Sequence, residues 1–199
     1  MKTVTIKSHR LMFVETEPAK SLFNVTEGVV KIYKMMADGR RQVTGFLFPG
    51  DFLGLVHNES YAYSAETVTE TTLCQFPRSR LEALLDELPN LELRLFGMAS
   101  HELAAAQDQM LLLGRKSASE RVASFLLMLS KVTERQGHLG NLIVIPMTRT
   151  DIADYLGLTI ETVSRTLTKF NSRHLIHLMD DKQVQLVDPA ALYKMSVGP

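Results

Sequence analysis

LGLTIETVSRTLTKFNSRHLI, residues Leu156 to Ile176, is the stretch on which the reading of this chain turns. On a helix of 3.6 residues per turn, Val163, Leu167 and Phe170 fall on one side, while Glu161, Ser164, Arg165, Thr168 and Lys169 fall on the other. Just before that helix stand a stop and a start. Gly157 can take the left-handed conformation that ends a helix without a steric penalty, and Thr159 can cap the first free N–H groups of the next one. Upstream, Thr148 with Asp151 three residues on has the spacing of a capping box. Arg149, Ala153, Gly157 and Val163 then fall as in a helix-turn-helix, with a small residue where helices cross, glycine in the turn and a branched apolar anchor beyond it. Two ordinary core helices would share the turn. They would not need an acid, bases and hydroxyls gathered near the N-terminus of the second helix, the end at which a recognition helix meets base edges.

The whole chain sets the frame for that motif. Its 199 residues, 45% hydrophobic and with mean hydropathy +0.01, can bury a sizeable core and have room for one or two domains. The longest apolar runs, such as Phe46–Phe48 and Phe125–Leu129, fall far short of the roughly 20 residues a membrane span needs. The opening MKTVTIKSHR lacks the apolar core of a secretory signal, so a cytoplasmic location is the expectation. A lone cysteine, Cys74, cannot close an internal disulfide and fits a reducing compartment. Lys plus Arg and Asp plus Glu balance at 22 each, so the sum of charge points to no partner. Its distribution points to one: Arg149, Arg165, Lys169, Arg173 and Lys182, with His174 and His177, fall in the C-terminal region, whereas residues 59–102 are dominated by acids. Such asymmetry suggests that one part of the molecule meets an anion.

Three zones follow along the chain. Residues 1–88 alternate β-rich runs (VTIKSHRLMFV, SLFNVTEGVVKIYKMM, RQVTGFLF, AETVTETTLCQF) with turn signals at Asp38-Gly39, Pro49-Gly50-Asp51 and Gly54, the pattern of a sandwich or barrel. After the break at Leu88-Pro89-Asn90, residues 89–114 hold strong helix formers and predict a helix of about six turns. Residues 115–199 read as an amphipathic helix (SERVASFLLMLSKV), a glycine-rich loop (QGHLGN), a short strand (LIVIP), the two helices of the motif and a β-like tail, LIHLMDDKQVQLV. Within the long helix, Phe96, Ala99, Leu103, Ala106, Met110 and Leu113 alternate by three and four, the seam of a short coiled coil. A core stripe against the chain's own β zone would have the same spacing. Two features favour a dimer: apolar residues off the seam (Leu93, Leu95, Met98, Leu111, Leu112) could serve that packing instead, and no charge interrupts the seam.

TRTDIADYLGLTIETVSR resembles the DNA-binding motif of the CRP/FNR superfamily of bacterial transcription regulators, and Glu161-Thr162-Val163-Ser164-Arg165 fits the E-x-x-S-R signature of its FNR and FixK branch. The likeness extends through LPNLELRL and DQMLLLGRKSASERVASFLLMLS and covers roughly residues 20–190. It implies an α+β protein: an N-terminal β-roll of cyclic-nucleotide-binding type, a long dimerisation helix and a C-terminal winged helix whose wing is LIHLMDDKQVQLV. It further implies a homodimeric activator that reads a TTGAT-N4-ATCAA-like palindrome in double-stranded DNA. Arg165 would hold guanine through O6 and N7, Glu161 would accept from an exocyclic amine, and Ser164 would lie near thymine. Ile160 would stand on the first exposed turn, where cyclic-AMP receptors tend to carry arginine. Arg149, Thr150, Thr162 and Lys169 would contact phosphates and set register, and the turn Met36–Arg41 either touches RNA polymerase or is an ordinary solvated turn.

The departures from that family bear on cofactors. The cyclic-AMP branch carries Gly-Glu and, some ten residues on, Arg-Ser to hold ribose and cyclic phosphate; here Gly54 is followed by Leu55, and Ser64 is preceded by Tyr63. A buried cyclic phosphate without a guanidinium would be poorly compensated, so cyclic AMP is not expected. An iron-sulfur cluster needs about four thiolates, and Cys74 alone stands where the family's fourth ligand falls. FixK-like members lack the cluster and match better. Cys74 is then either a small hydrophobe at a strand end or a redox-tuned thiol. Histidines 9, 57, 101, 138, 174 and 177 show no metal-ligand spacing, leaving haem at His57 a remote reading. No nucleophile elbow, P-loop or paired-carboxylate motif supports an enzyme. The alternative from outside the effector-free class is a regulator of the same superfamily gated by a metabolite or haem.

Cys74→Ser separates the two readings of the thiol. With a structural cysteine, stability drops slightly and DNA affinity is indifferent to peroxide in both proteins. Loss of binding by oxidised parent, with the serine variant spared in the same titration, would make the thiol a sensor.

Overall fold

Alternating apolar and polar residues in the first 80 positions become eight strands in a computed structural model, which describes residues 2–55, 59–87, 89–180 and 182–198. Leu88, His57 and Asp181, in the expected break, the haem reading and the polar turn, lie outside the described residues. The strands are β1 (Lys2–Ile6), β2 (Leu11–Phe13), β3 (Ser21–Glu27), β4 (Val30–Met35), β5 (Arg41–Leu47), β6 (Phe52–Leu53), β7 (Ser64–Thr67) and β8 (Thr71–Pro77). They pair antiparallel in two four-stranded sheets, β1-β8-β3-β6 and β2-β7-β4-β5. On the faces that the two sheets turn inward, Val25, Val30, Leu53, Ala65 and Leu73 lose all contact with solvent in one core with Phe13 and Tyr61. Gly28 makes the β3–β4 turn at φ 86°, where a Cβ would collide with the Glu70 carbonyl oxygen. Lys31 is buried but faces Glu66 across the β4–β7 pair, Nζ to Oε1 2.9 Å, so its charge is compensated. Cys74 sits half-buried on β8, opposite Thr3 and Asn24.

The helices are α1 (Arg78–Glu87), α2 (Pro89–Arg115), α3 (Ala118–Arg135), α4 (Arg149–Leu156), α5 (Ile160–Ser172) and α6 (Pro189–Val197), with β9 (Leu142–Val144), β10 (Ile176–Leu178) and β11 (Gln183–Leu186) among them. The chain packs as two units, residues 1–109 and 110–199, and α2 runs through the division. Two helices were unread in the sequence. α1 follows β8 without a turn residue between them, and α6 stands beyond the β-like tail, opened by Asp188, whose carboxylate accepts the Ala191 N–H at 2.9 Å, with Pro189 at its first position.

The C-terminal unit is built on α3. Ser117 and Glu120 cap it reciprocally, with the Ser117 N–H donating to Glu120 Oε2 at 2.6 Å. Its apolar face buries Val122, Ala123, Phe125, Leu126 and Leu129, and it packs against α5 and α6, while α4 packs against α5. Strands β10, β11 and β9 form the antiparallel wing sheet, with Ile143, Ile176, Val184 and Leu186 buried beneath it. Phe170, 1% exposed, is the largest α5 side chain in this core. Phe170→Ala should lower the unfolding free energy by about 3–5 kcal/mol, measured by urea denaturation.

Candidate nucleic-acid interface

α4 begins where the sequence places its cap. The Thr148 hydroxyl donates to Asp151 Oδ2 at 2.6 Å and accepts the Asp151 N–H at 3.0 Å, while the Thr148 N–H donates to the same carboxylate at 3.2 Å. The helix ends at Gly157, φ 60° and ψ 42°, the left-handed conformation expected of it. A side chain here would be strained, and its Cβ would lie 3.1 Å from Leu113 Cδ2. Thr159, in extended conformation, accepts the Thr162 N–H at 3.2 Å and starts α5. The turn and both caps therefore fix how far α5 stands from α4 and which face it presents.

That face is the one read from the sequence. Val163, Thr166, Leu167 and Phe170 are buried, and Glu161, Ser164, Arg165, Thr168 and Lys169 are exposed together with Ile160, itself 42% exposed. The Glu161 carboxylate is held below the usual carboxylate range by its own backbone N–H, then by the Thr159 hydroxyl and Arg165, so it is ionised at neutral pH. Thr162 is half-buried, and its hydroxyl lies 3.1 Å from that of Thr159 and accepts from Arg165 Nη2 at 3.4 Å. It is engaged inside the motif and props Arg165 from behind. Arg149 and Thr150 lie exposed in the first turn of α4, where free N–H groups favour an anion.

The C-terminal region from Arg149 to Lys182 is not basic by composition. Residues 149–182 also contain Asp151, Asp154, Glu161, Asp180 and Asp181, so that span carries no excess of bases. Placement creates the positive surface. Asp151, 2% exposed, is consumed by the cap, whereas Arg165, Lys169 and Arg173 stay in water.

One residue central to the motif has no local signal. Arg121, on α3, donates through Nη1 to the carbonyls of Leu156 at 2.8 Å and Gly157 at 3.2 Å, through Nη2 to Leu113 at 2.9 Å and through Nε to Lys116 at 2.8 Å. A single guanidinium thus ties the end of α4 to the end of α2.

In the β-roll, the position of the missing phosphate arginine is filled. The Gly54 N–H donates to the Tyr63 hydroxyl at 3.0 Å, and burial pushes that hydroxyl's pKa up to about 12. Beside it Tyr61 stacks on Phe13 with centroids 3.7 Å apart and donates to the Ser21 carbonyl at 2.7 Å. These residues do not fit a cyclic nucleotide: the amide beside Leu55 has a tyrosine for its partner, and Tyr63 brings no charge to meet a phosphate.

Comparison with known proteins assigns both halves. Residues 3–87 match the cyclic nucleotide-binding domain family, and residues 120–195 match the Crp-like helix-turn-helix domain. The chain is 44% identical over 178 residues to the transcriptional activatory protein AadR of Rhodopseudomonas palustris, covering 89% of this chain and 74% of that protein. It is 42% identical over 197 residues to the nitrogen fixation regulation protein FixK of Bradyrhizobium diazoefficiens, covering 99% and 83%. Its structure is similar to FixK2 from Bradyrhizobium japonicum with a TM-score of 0.92 and 35% identity, over 100% of this chain and 98% of that one.

Arg121→Ala leaves several helix-end carbonyls without their donor. Stability should fall by about 2–3 kcal/mol in thermal unfolding. At temperatures where the variant remains folded, DNA affinity should drop with an unchanged salt slope, because no phosphate contact is removed; Arg121→Lys, which lacks the planar fork, should restore only part of either quantity.

Proposed function

The chain belongs to the CRP/FNR family of DNA-binding transcription regulators, and on that premise we propose that it works as a homodimer reading a TTGAT-N4-ATCAA-like palindrome. The observation that carries this reading is the exposed face of α5, with Glu161, Ser164 and Arg165 in its first two turns. Arg165 takes guanine through O6 and N7, Glu161 accepts from cytosine or adenine on the opposite strand, and Ser164 meets thymine. Ile160 gives this surface an apolar edge. Arg149, Thr150, Thr162 and Lys169 hold phosphates, and the Thr162 hydroxyl also supports Arg165.

The dimer is supported by α2. Phe96 and Met110 are each 70% exposed and Leu103 is 61% exposed, with Ala99 and Ala106 exposed between them and Leu113 half-buried at the end. Large apolar side chains in a line demand a cover, and a second copy of the same seam supplies one of matching spacing. In such a dimer two recognition helices related by a twofold axis enter successive major grooves, about 34 Å apart. The α2 residues Leu95 and Met98 are half-buried off the seam, whereas Leu93 and Leu111 are exposed.

Two further parts of the reading concern the β-roll. The β4–β5 turn, Met36–Arg41, is braced by Asp38, which accepts from Arg40 Nε at 2.7 Å and from its N–H at 3.0 Å, while Met36 is half exposed. This exposed turn is a surface for RNA polymerase, in keeping with relatives named as activators. Tyr63 and Gly54 satisfy each other, so DNA binding proceeds without a cyclic nucleotide.

Leu103→Asp places two carboxylates at the seam and should give monomers in sedimentation and weak palindrome binding; a parent that is monomeric at micromolar concentration would remove the dimer from the proposal. Arg165→Ala should lose about 1–3 kcal/mol of guanine discrimination per half-site, twice over in a dimer. Lys169→Ala should instead weaken all DNA by a similar factor and flatten the salt dependence by about one unit per contact. Competition between the palindrome and a version with its guanine changed separates these outcomes, and an Arg165→Ala protein that keeps the parent's preference refutes the base-reading assignment.

A further inference from the structure

Past the base-reading residues, α5 leads into a second cationic feature. Arg165, Lys169 and Arg173 follow at four-residue spacing and so run along one side of the helix for about 12 Å. Lys169 and Arg173 also line an open concavity of about 560 Å³, where Lys194 of α6 joins them beside Ser117 and Ser119 at the start of α3. All three bases are exposed, and none of their side chains has an acidic partner among the described residues. One acid, Glu120, lines the same concavity, but its carboxylate is turned to the Ser117 N–H at 2.6 Å in the α3 cap.

We propose that this concavity, through Arg173 and Lys194 together with Lys169, seats the DNA backbone at a phosphate beyond the bases that α5 reads. The proposal rests on the DNA-binding reading of α5 and extends it to α6, a helix with no part in base recognition. Continuity supports it: Lys169 belongs at once to the polar face and to the concavity, and a helix-turn-helix reads base edges with the N-terminal residues of its second helix, which leaves the residues beyond them free for the backbone. The type of cation supports a polyanion over a free anion. Exposed lysine and arginine heads attract a single small ion weakly, since water and salt screen them. Against a duplex the same heads displace condensed counterions, and each phosphate neutralised adds to affinity and to its salt dependence.

The test is Arg173→Ala combined with Lys194→Ala in the full chain, beside the charge-keeping pair Arg173→Lys and Lys194→Arg. Affinity is measured from low to moderate salt on the palindrome and on a scrambled duplex of equal length. The alanine pair should lose at least tenfold on both duplexes at low salt and flatten the log–log salt slope by about 0.9 for each phosphate given up, while the charge-keeping pair follows the parent. An alanine pair with the parent's affinity and slope on both duplexes overturns the proposal. So does a parent stabilised in thermal melts by inorganic tripolyphosphate, with that shift lost in the alanine pair and the DNA slope untouched, because the site then holds a free anion. The scrambled duplex needs no sequence preference, so failure of the palindrome reading shows as a parent that binds both duplexes alike, whatever the alanine pair does.

Discussion

The DNA-facing end of the C-terminal unit depends on what happens where two helices stop. Each helix leaves its last carbonyls without intrahelical donors, and here the ends of α2 and α4 come within reach of one side chain. Arg121 answers them with a planar fork of donors, bonding Leu113 and Lys116 on one side and Leu156 and Gly157 on the other. No other side chain type offers several donors in fixed geometry without also presenting an acceptor. Because Gly157 is the residue from which α5 departs, a bond to its carbonyl holds the recognition helix to the end of α2. The absence of a Cβ at Gly157 completes the arrangement, since the Leu113 side chain and the Arg121 guanidinium occupy the space around it.

A neutral protein can still present a cationic surface if its acids are given other work. In this unit Asp151 and Glu120 stand in the first turns of their helices, bonded to the N–H groups of Thr148 and Ser117. Negative charge at a helix N-terminus is favourable in itself, and it is thereby withdrawn from the face that α5 exposes. Lys169, Arg173 and Lys194 keep their heads in water without acidic partners among the described residues, and Arg165, also exposed, has the Glu161 charge beside it. Glu161 is the exception, an acid on the exposed face of α5 kept ionised by its own backbone N–H, then by the Thr159 hydroxyl and Arg165.

The parts of this fold that could be read from the sequence are those whose physics is local. Thr148 with Asp151, Gly157 and Thr159 announce their conformations within three or four residues, and the buried and exposed sides of α5 follow from its periodicity alone. The β runs separated by glycine turns gave the two sheets in the same way. Arg121 could not be read, since its partners are backbone carbonyls, one of them 36 residues away, which leave no trace in side-chain pattern. Thr162 makes contacts that its spacing does not announce: its hydroxyl, beside the polar face, is shared with Thr159 and Arg165. α1 and α6 are short and lack the long period that marks α2 and α3, and Lys194 came into view only with the helix that carries it.

The bond between Tyr63 and Gly54 bears on what this corner of the β-roll can admit. The Gly54 N–H already has its acceptor in the Tyr63 hydroxyl, 3.0 Å away. A molecule entering here would have to offer that amide a better acceptor and leave the displaced hydroxyl satisfied, since a buried polar group left without a partner costs about 1–3 kcal/mol. It would do so against a rival tethered to the same chain, whose effective concentration dilution cannot lower.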